Sequence, residues 1–183
     1  RALLDDAGWI AGPDGMRSKD GQPLKLLMSS QTWNFIPPIA QTLQGQLRQV
    51  GIDVEVEQMT FPAQMTAGAE GTKNVLVNGG NGFTAADALD GYFGSWSTDG
   101  GFAWSKMKDL ELDRLLVEGA QTLDPEKRKA IYAEAQVRIM EQALIIPIYD
   151  YTILVGVNNK VMGLSWDISN VAPLAYDAYI AAD

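Results

Sequence analysis

Cysteine and histidine are both absent from the 183 residues of this chain. Their absence excludes disulfides, thiolate nucleophiles, Cys/His zinc sites and acid–base catalysis by histidine. Positive charge is also scarce, since 14 Lys and Arg residues stand against 23 Asp and Glu residues, for a formal net charge of −9. No basic cluster is dense enough to offset phosphate repulsion, so neither nucleic acid nor an anionic membrane surface is expected as a partner.

Long apolar runs are missing as well. The most apolar stretch, residues 143–157, contains Pro147 and Asp150, and it is shorter than the roughly 20 apolar residues that a bilayer-spanning helix needs. No basic segment followed by an apolar one opens the chain at Arg1, so no signal peptide is expected within it. The 46% of hydrophobic residues suffices for one sizeable core. We therefore expect one domain, or one large piece of a bigger protein.

The spacing of apolar residues predicts strands that alternate with helices. Strands are predicted at residues 23–28, 52–57, 75–77 and 145–157, and helices at residues 2–7, 39–50 and 88–93. A further short helix is predicted from residue 61 through Met65, with its end near the glycine turn at residues 68–71. Two further helices follow, and the second begins with Asp124 as its N-cap and Pro125 as its first helical residue. This alternation is typical of an α/β fold in which helices flank a mixed sheet.

Glycine is concentrated, and charge is depleted, in the middle of the chain. Residues 61–105 contain nine of the 18 glycines but only five charged residues. Backbone can approach a ligand most closely where side chains are absent. We therefore expect this segment to contribute to a ligand site.

One motif in this segment predicts a specific chemistry. Gly80, Gly82 and Ala85 have the spacing of the G-x-G-x-x-G/A dinucleotide-binding turn, after a predicted strand and before a predicted helix. Asp99 has the sequence distance of the ribose-binding acid, although it lies in a predicted turn and not at the end of a second strand. A nucleotide-binding enzyme domain that uses residues 80–85 is therefore the alternative function. The other interpretation is a strand-to-helix turn whose glycines line a cleft.

Paired carboxylates could hydrolyse glycosides without histidine. Three acidic groups have suitable spacing: Asp5 with Asp6, Asp87 with Asp90, and Asp109 with Glu111 and Asp113. The first and third groups are interleaved with basic residues on helix faces that are predicted to be exposed. The second occupies the first turns of a predicted helix, where negative charge is favourable. Solvation and capping explain all three groups, so no catalytic residue is assigned.

Three aromatic residues, Trp96, Phe102 and Trp104, lie together in one glycine-rich loop. Aromatic side chains in loops serve either core packing or ligand contact, because they offer a large area at a low entropic cost. They could also pack against protein outside this chain. An interaction module that buries this loop in a dimer is therefore a third possibility.

A series of ordered motifs extends along nearly the whole chain. Its members are A-L-L-D-D-A-G-W at residues 2–9, D-G-M-R at 14–17, K-D-G-Q-P-L at 19–24, L-Q-G-Q-L-R-Q-V-G-I-D-V-E-V at 43–56, D-R-L-L at 113–116, D-P-E-K-R at 124–128, I-P-I-Y at 146–149 and V-M-G-L at 161–164. This series resembles the C-terminal part of the family 5 extracellular solute-binding proteins, the peptide/nickel class that serves ABC importers.

The resemblance implies one lobe of a two-lobed, hinge-closing fold of the periplasmic-binding-protein type II class. Residues 1–155 would form most of a C-terminal ligand-binding lobe, and residues 156–183 would return toward the N-terminal lobe of the same full-length protein. Such proteins capture a small-molecule or peptide ligand between their lobes and deliver it to ABC permease subunits, at the periplasmic or extracytoplasmic face of the membrane. They are not enzymes, and the resemblance implies no cofactor. No metal site is expected either, because this lobe has no histidine to hold a bare nickel ion.

Open α/β sheets bind ligands in loops at the carboxyl ends of their strands. By that rule the expected ligand-binding residues are Trp33 and Asn34 after the first strand, Phe61 after the second, and Asn78, Asn81 and Phe83 after the third. In peptide-binding members of the family that this chain resembles, an acidic residue after the third strand pairs with the peptide amine. Gly82 or Phe83 stands at that position here. The resemblance therefore favours an uncharged or differently held solute over a standard peptide.

Overall fold

A computed structural model describes residues 1–33, 35–79, 84–150, 154–166 and 173–181. The chain divides into two compact units. Arg1–Gly80 and Thr98–Trp104 form the first unit, and Asn81–Ser97 and Ser105–Asp183 form the second. The segment Thr98–Trp104 therefore returns to the first unit after the chain has entered the second.

The first unit begins with a short helix and a small antiparallel sheet. Helix α1 spans Ala2–Asp6, and strands β1 (Ile10–Ala11), β2 (Arg17–Lys19) and β3 (Gln22–Pro23) pair in that order. The buried guanidinium of Arg17 donates to the backbone oxygens of Trp9 and Val50 and to the carboxylate of Asp5. These bonds join the sheet to α1 and to the turn at Val50.

A parallel sheet lies at the centre of the first unit. Strands β4 (Lys25–Gln31), β5 (Asp53–Met59) and β6 (Val75–Val77) are arranged in the order β5-β4-β6, with Leu26 paired to Val54 and Ser29 paired to Leu76. Helix α2 (Ile36–Arg48) connects β4 to β5, and helix α3 (Phe61–Glu70) connects β5 to β6. The predicted α/β class with a sheet flanked by helices is confirmed, and the three strands of this sheet all run parallel.

The two faces of this sheet differ in polarity. Successive side chains of a strand point to opposite faces, so Met28 and Ser29 of β4 lie on opposite sides. The Met28 side forms an apolar core with α2, whose other buried members are Ile36, Ala40, Ile52, Val54 and Val77. On the other side, Ser29 accepts a hydrogen bond from the fully buried Gln64 of α3. Helix α2 therefore covers an apolar face of the sheet, and α3 covers a polar one.

Helices α4 (Ala85–Phe93), α5 (Leu110–Gln121) and α6 (Pro125–Glu141) form the core of the second unit, with a short 3-10 turn at Ser95–Ser97. The buried core side chains are Leu112, Leu115, Leu116, Ala135 and Ile139. Asp124 caps α6 by accepting from the backbone N–H groups of Glu126 and Lys127, which confirms the predicted start of this helix. Among the described helices, none combines the length and the apolar character needed to cross a membrane.

Four short strands follow these helices. They are β7 (Val161–Met162), β8 (Ser165–Trp166), β9 (Pro173–Leu174) and β10 (Tyr179–Ile180). Strand β7 pairs with β10 and β8 pairs with β9, in both cases antiparallel. The predicted alternation of short β segments and turns in this part of the chain is thus found in its described residues.

One predicted strand is not found in its described residues, whereas the predicted end of α3 is confirmed. Residues 145–150 and 154–157 do not form the strand predicted there. A strand needs partners for its backbone groups, none of the described strands pairs with this segment, and Pro147 lacks a donor. The helix predicted from residue 61, with its end near the turn at residues 68–71, is α3: it continues to Glu70, and Gly71 supplies the left-handed cap with φ of 68°.

Candidate functional site

A cavity of about 430 Å³ lies at the carboxyl ends of the three parallel strands. Its lining residues are Gln31, Thr32, Trp33, Phe61 and Gly79. Gln31 is the last residue of β4, and Thr32 and Trp33 follow it. Phe61 lies after β5, and Gly79 lies after β6. Since α2 and α3 cover opposite faces of a sheet ordered β5-β4-β6, the gap between β4 and β6 is a topological switch point, the usual place for a ligand in such sheets.

Trp33 and Phe61 give the cavity two aromatic walls. Both side chains are about half exposed, at 50% and 46%. The Trp33 ring lies 6.0 Å from the ring of Phe35, and Phe61 stacks on Phe102 with their centroids 6.3 Å apart. Rings held in this way offer contact area to a ligand at a low entropic cost. The structure thus brings two of the predicted site residues together in one cavity.

Asn78, the third predicted residue that the structure describes, lies behind the cavity and not in its lining. Its Oδ1 accepts a hydrogen bond from Nε2 of Gln31 at 2.7 Å, and the same nitrogen donates to Oε1 of Gln64 at 2.8 Å. Gln31 and Gln64 are 5% and 0% exposed. Asn78 therefore helps to fix Gln31, which does line the cavity.

The other predicted site residues, Asn34, Asn81 and Phe83, lie outside the described residues, as does the glycine-rich turn before Thr84. Thr84 is the N-cap of α4, and its hydroxyl accepts from the backbone N–H of Asp87. Asp87 thus lies in the first turn of a helix, where its negative charge is favourable.

Sequence patterns did not identify Gln31, Thr32, Gly79 or Gln64. The predicted first strand ends at residue 28, where the apolar pattern stops, whereas β4 continues through three buried polar residues to Gln31. A strand that stays buried while its side chains turn polar indicates a hydrogen-bonded network. The serine pair and glutamine at residues 29–31 are the signal that could have located this part of the site.

Gly68 of α3 lets the ring of Trp104 lie against the helix, since a Cβ at residue 68 would stand 2.6 Å from the indole. Trp104 packs against Phe102 with ring centroids 5.6 Å apart, and Phe102 supports Phe61 in the cavity wall. For Gly68→Ala we expect a net loss of up to about 2 kcal/mol in unfolding free energy. Overpacking costs about 1–3 kcal/mol, whereas alanine in a helix gains only about 1 kcal/mol over glycine.

Urea denaturation would measure this change, with Gly45→Ala in α2 as the matched control. A Cβ at residue 45 meets nothing within 4 Å, so that variant should gain about 0.5–1 kcal/mol from helix propensity alone. If both variants gained stability equally, the indole would be free to move and would not brace the cavity wall.

The sequence predicts that Asp109, Glu111 and Asp113 lie on a solvated helix face, but the structure does not place all three in water. Asp109 caps α5 by accepting from the backbone N–H groups of Glu111 and Leu112. Its side chain is only 9% exposed, because Arg138 and Gln142 also donate to it. The Arg138 guanidinium holds the pKa of the Asp109 carboxyl well below its usual range. The predicted solvation is therefore wrong for the Asp109 side chain, which its partners largely shield from water.

The described lining of the cavity consists of amide, hydroxyl, aromatic and backbone groups. No titratable side chain lines it within the described ranges, and those ranges contain no cluster of three metal-ligating side chains. Hydrogen bonding and ring contact are therefore the interactions that this cavity supplies.

Comparison with known proteins gives a consistent set of relatives. The family model of bacterial extracellular solute-binding proteins, family 5 Middle, matches residues 1–109. The nickel-binding periplasmic protein of Escherichia coli (strain K12) is 28% identical over 158 residues, which cover 81% of this chain and 29% of that protein. The probable di/tripeptide-binding protein 5 of Pseudomonas aeruginosa (strain UCBPP-PA14) is 27% identical over 126 residues, or 68% of this chain and 24% of that protein.

Solved structures share the fold. The oligopeptide-binding protein AppA from Bacillus subtilis, in complex with a nonapeptide, superposes with a TM-score of 0.74 at 18% identity, over 99% of this chain and 36% of that one. The present chain spans less than a third of the length of the two curated relatives. All these proteins bind solutes, so they give no support to a nucleotide-binding enzyme at residues 80–85.

Proposed function

Because the chain belongs to family 5 of the bacterial extracellular solute-binding proteins, we propose that it binds an uncharged polar organic solute for an ABC importer. The observation that supports this most directly is the cavity at the ends of β4, β5 and β6, where two half-exposed rings stand beside an amide. In this proposal Trp33 and Phe61 contact apolar faces of the solute, and Gln31 and Thr32 hydrogen-bond its polar groups. The solute is captured and released without chemical change.

The named ligands of the two curated relatives are nickel and di- or tripeptides. Nickel favours imidazole ligands, and this chain has no histidine. A peptide amine favours a carboxylate partner, and the described lining of the cavity has none. An uncharged solute requires neither group, and it is therefore the ligand class that we propose.

The last part of the chain exposes large apolar side chains. Tyr176, Tyr179 and Ile180 are 98%, 60% and 77% exposed, and apolar surface of this kind marks a contact site. We propose that residues 156–183 contact the N-terminal lobe of a full-length protein, whose C-terminal lobe is residues 1–155. The closed protein would act in the periplasm or at the extracytoplasmic face, and would deliver its solute to permease subunits in the membrane.

A solute scan by thermal unfolding tests this function on the full-length protein that carries this segment. The panel contains neutral saccharides, polyols and amides, with dipeptides, amino acids and Ni²⁺ as competing classes. A solute at 100 times its Kd should stabilise the folded state by about 2.7 kcal/mol. Stabilisation by Ni²⁺ or dipeptides alone would contradict the ligand class. No stabilisation by any solute would contradict solute capture, and micromolar binding of NAD or ATP would favour the nucleotide alternative.

Trp33→Ala and Phe61→Ala should each weaken binding of the solute found in this scan by about 10- to 100-fold, since burial of such a side chain contributes about 1.5–3 kcal/mol. The unfolding free energy without solute should fall by about 0.75–1.5 kcal/mol, because about half of each side chain is buried in the unliganded chain. Isothermal titration calorimetry measures the affinity. Trp96→Ala is the matched control, because Trp96 is also 50% exposed but belongs to the second unit. A loss of affinity in the control alone would place the ligand elsewhere.

A further inference from the structure

Three side-chain amides and one hydroxyl form a network behind the cavity. Nε2 of Gln64 lies 2.9 Å from Oγ of Ser29 and 3.1 Å from the backbone oxygen of Val77. Oε1 of Gln64 lies 2.8 Å from Nε2 of Gln31, which in turn lies 2.7 Å from Oδ1 of Asn78. Gln64 and Ser29 are fully buried. Buried polar groups need partners, and here the members of the network provide them for one another.

The backbone oxygen of Val77 sets the direction of these hydrogen bonds. A carbonyl oxygen only accepts, so the Gln64 atom that faces it has to be the NH2 group. The other terminal atom of Gln64 is then its oxygen, and it requires a donor from Gln31. The donor on Gln31 is therefore its NH2 group, Nε2. Because an amide NH2 group only donates, the Asn78 atom within hydrogen-bonding distance of it has to be an oxygen too.

One polar atom of Gln31 is left over, its carbonyl oxygen Oε1. Both described hydrogen-bond partners of the Gln31 side chain accept from its Nε2. No described residue donates to its Oε1. Gln31 lines the cavity together with Trp33 and Phe61. Oε1 is therefore the side-chain atom that Gln31 can still offer to a solute in this cavity, and the two bonds of Nε2 fix its orientation.

We propose that Gln64 is a positioning residue that fixes Gln31 as an acceptor, so that the cavity selects a solute with a neutral donor, a hydroxyl or an amide N–H. This inference rests on the proposed function and specifies the ligand chemistry of the same site. A solute carboxylate at this position would place its oxygens against Oε1 of Gln31, and its negative charge would have no partner there. An ammonium group would find the acceptor but no carboxylate among the described lining residues to offset the loss of its hydration.

The same chemical change at the two ends of one hydrogen bond tests the direction of the network. Asn78→Asp keeps an acceptor opposite Nε2 of Gln31, so its unfolding equilibrium constant should rise less than about 5-fold. Gln31→Glu sets a carboxylate against the oxygens of Gln64 and Asn78, so its constant should rise about 100-fold. Gln46→Glu, at an exposed position of α2, is the control and should stay within about 2-fold. Urea denaturation of the chain measures all three.

Matched neutral and anionic fragments test the ligand chemistry. The pairs are glucose and glucuronate, nicotinamide and nicotinate, and phenylacetamide and phenylacetate, titrated into the full-length protein that carries this segment and followed by isothermal titration calorimetry. The neutral member should bind at least about 10-fold more tightly than its anion. Gln64→Met frees the Gln31 amide to turn, so this ratio should fall below about 3, whereas Gln46→Met should preserve it. A purely structural role of Gln64 would weaken both members equally and leave the ratio unchanged.

Three results would overturn the inference. One is a larger loss of stability in Asn78→Asp than in Gln31→Glu, because the network would then run in the opposite direction. Another is a preference of the unchanged chain for the anions. The third is no binding of any fragment when the full-length protein does respond to a solute in the scan, which overturns the ligand chemistry and leaves the proposed function standing. If the full-length protein responds to no solute, the proposed function falls, and the two carboxylate variants still decide the direction of the network.

Discussion

Gly51→Ala should destabilise the first unit by about 3 kcal/mol, the combined cost of its backbone conformation and of two close contacts. Gly51 has φ of +88°, and a Cβ there would lie 2.5 Å from the backbone oxygen of Gly15 and 2.8 Å from Cγ of Arg17. The left-handed conformation costs alanine about 1–2 kcal/mol, and overpacking adds about 1–3 kcal/mol. Arg17 cannot yield cheaply, because its backbone N–H donates to the oxygen of Gly51 at 2.8 Å and its guanidinium is buried.

Gly21→Ala is the matched control for this prediction. Gly21 has φ of +75°, but a Cβ there meets nothing within 4 Å, so the variant should lose only the conformational cost of about 1–2 kcal/mol. Urea denaturation gives both losses, and their difference isolates the close approach of the turn to Arg17. Equal losses in the two variants would mean that the chain around Arg17 relaxes and that the contact is not tight.

The elements of the fold that sequence predicted correctly are those with local signals. Gly51 ends a helical apolar stripe, the alternation of apolar and acidic residues at residues 52–57 anticipates β5, and Asp124 with Pro125 marks the start of α6. Each of these signals lies within a few residues of the feature that it predicts. The pairing of Trp33 and Phe61 at one cavity could be anticipated for a similar reason, because each follows a predicted strand and parallel strands share their carboxyl edge.

The features that sequence did not predict depend on contacts between distant residues. Gln31 meets Gln64 across 33 residues, and Asp109 meets Arg138 across 29. A polar or charged residue is usually exposed, and only a partner brought close by the fold reverses that expectation. The converse holds for the strand predicted at residues 145–157: its apolar composition is typical of a strand, but no described strand pairs with residues 145–150 or 154–157.

Loss of the Asp109 carboxylate should have the second large effect. Asp109→Ala removes the N-cap of α5, which costs about 1–2 kcal/mol, and it leaves Arg138 and Gln142 without their acceptor, so we expect a total of about 2–3 kcal/mol. Asp109→Asn keeps a capping oxygen but loses the negative charge, and it should cost about half as much. Asp124→Asn is the control, because Asp124 caps α6 through two backbone N–H groups and asparagine caps a helix about as well as aspartate. Urea denaturation at pH 7 measures all three.

The pH dependence separates the charge of Asp109 from its capping role. Arg138 holds the pKa of Asp109 below its usual range, so the folded chain takes up the proton less readily than the unfolded chain, whose aspartates titrate near pH 3.9. The stabilisation is therefore fully present above about pH 5, and it is lost as the pH falls through the unfolded and then the folded pKa. The free-energy difference between the unchanged chain and Asp109→Asn should be constant from about pH 5 to 8 and should shrink below about pH 4. A difference that persists undiminished to about pH 2 would show that the stabilisation does not depend on the charge, because protonated Asp109 would then be as effective as the carboxylate.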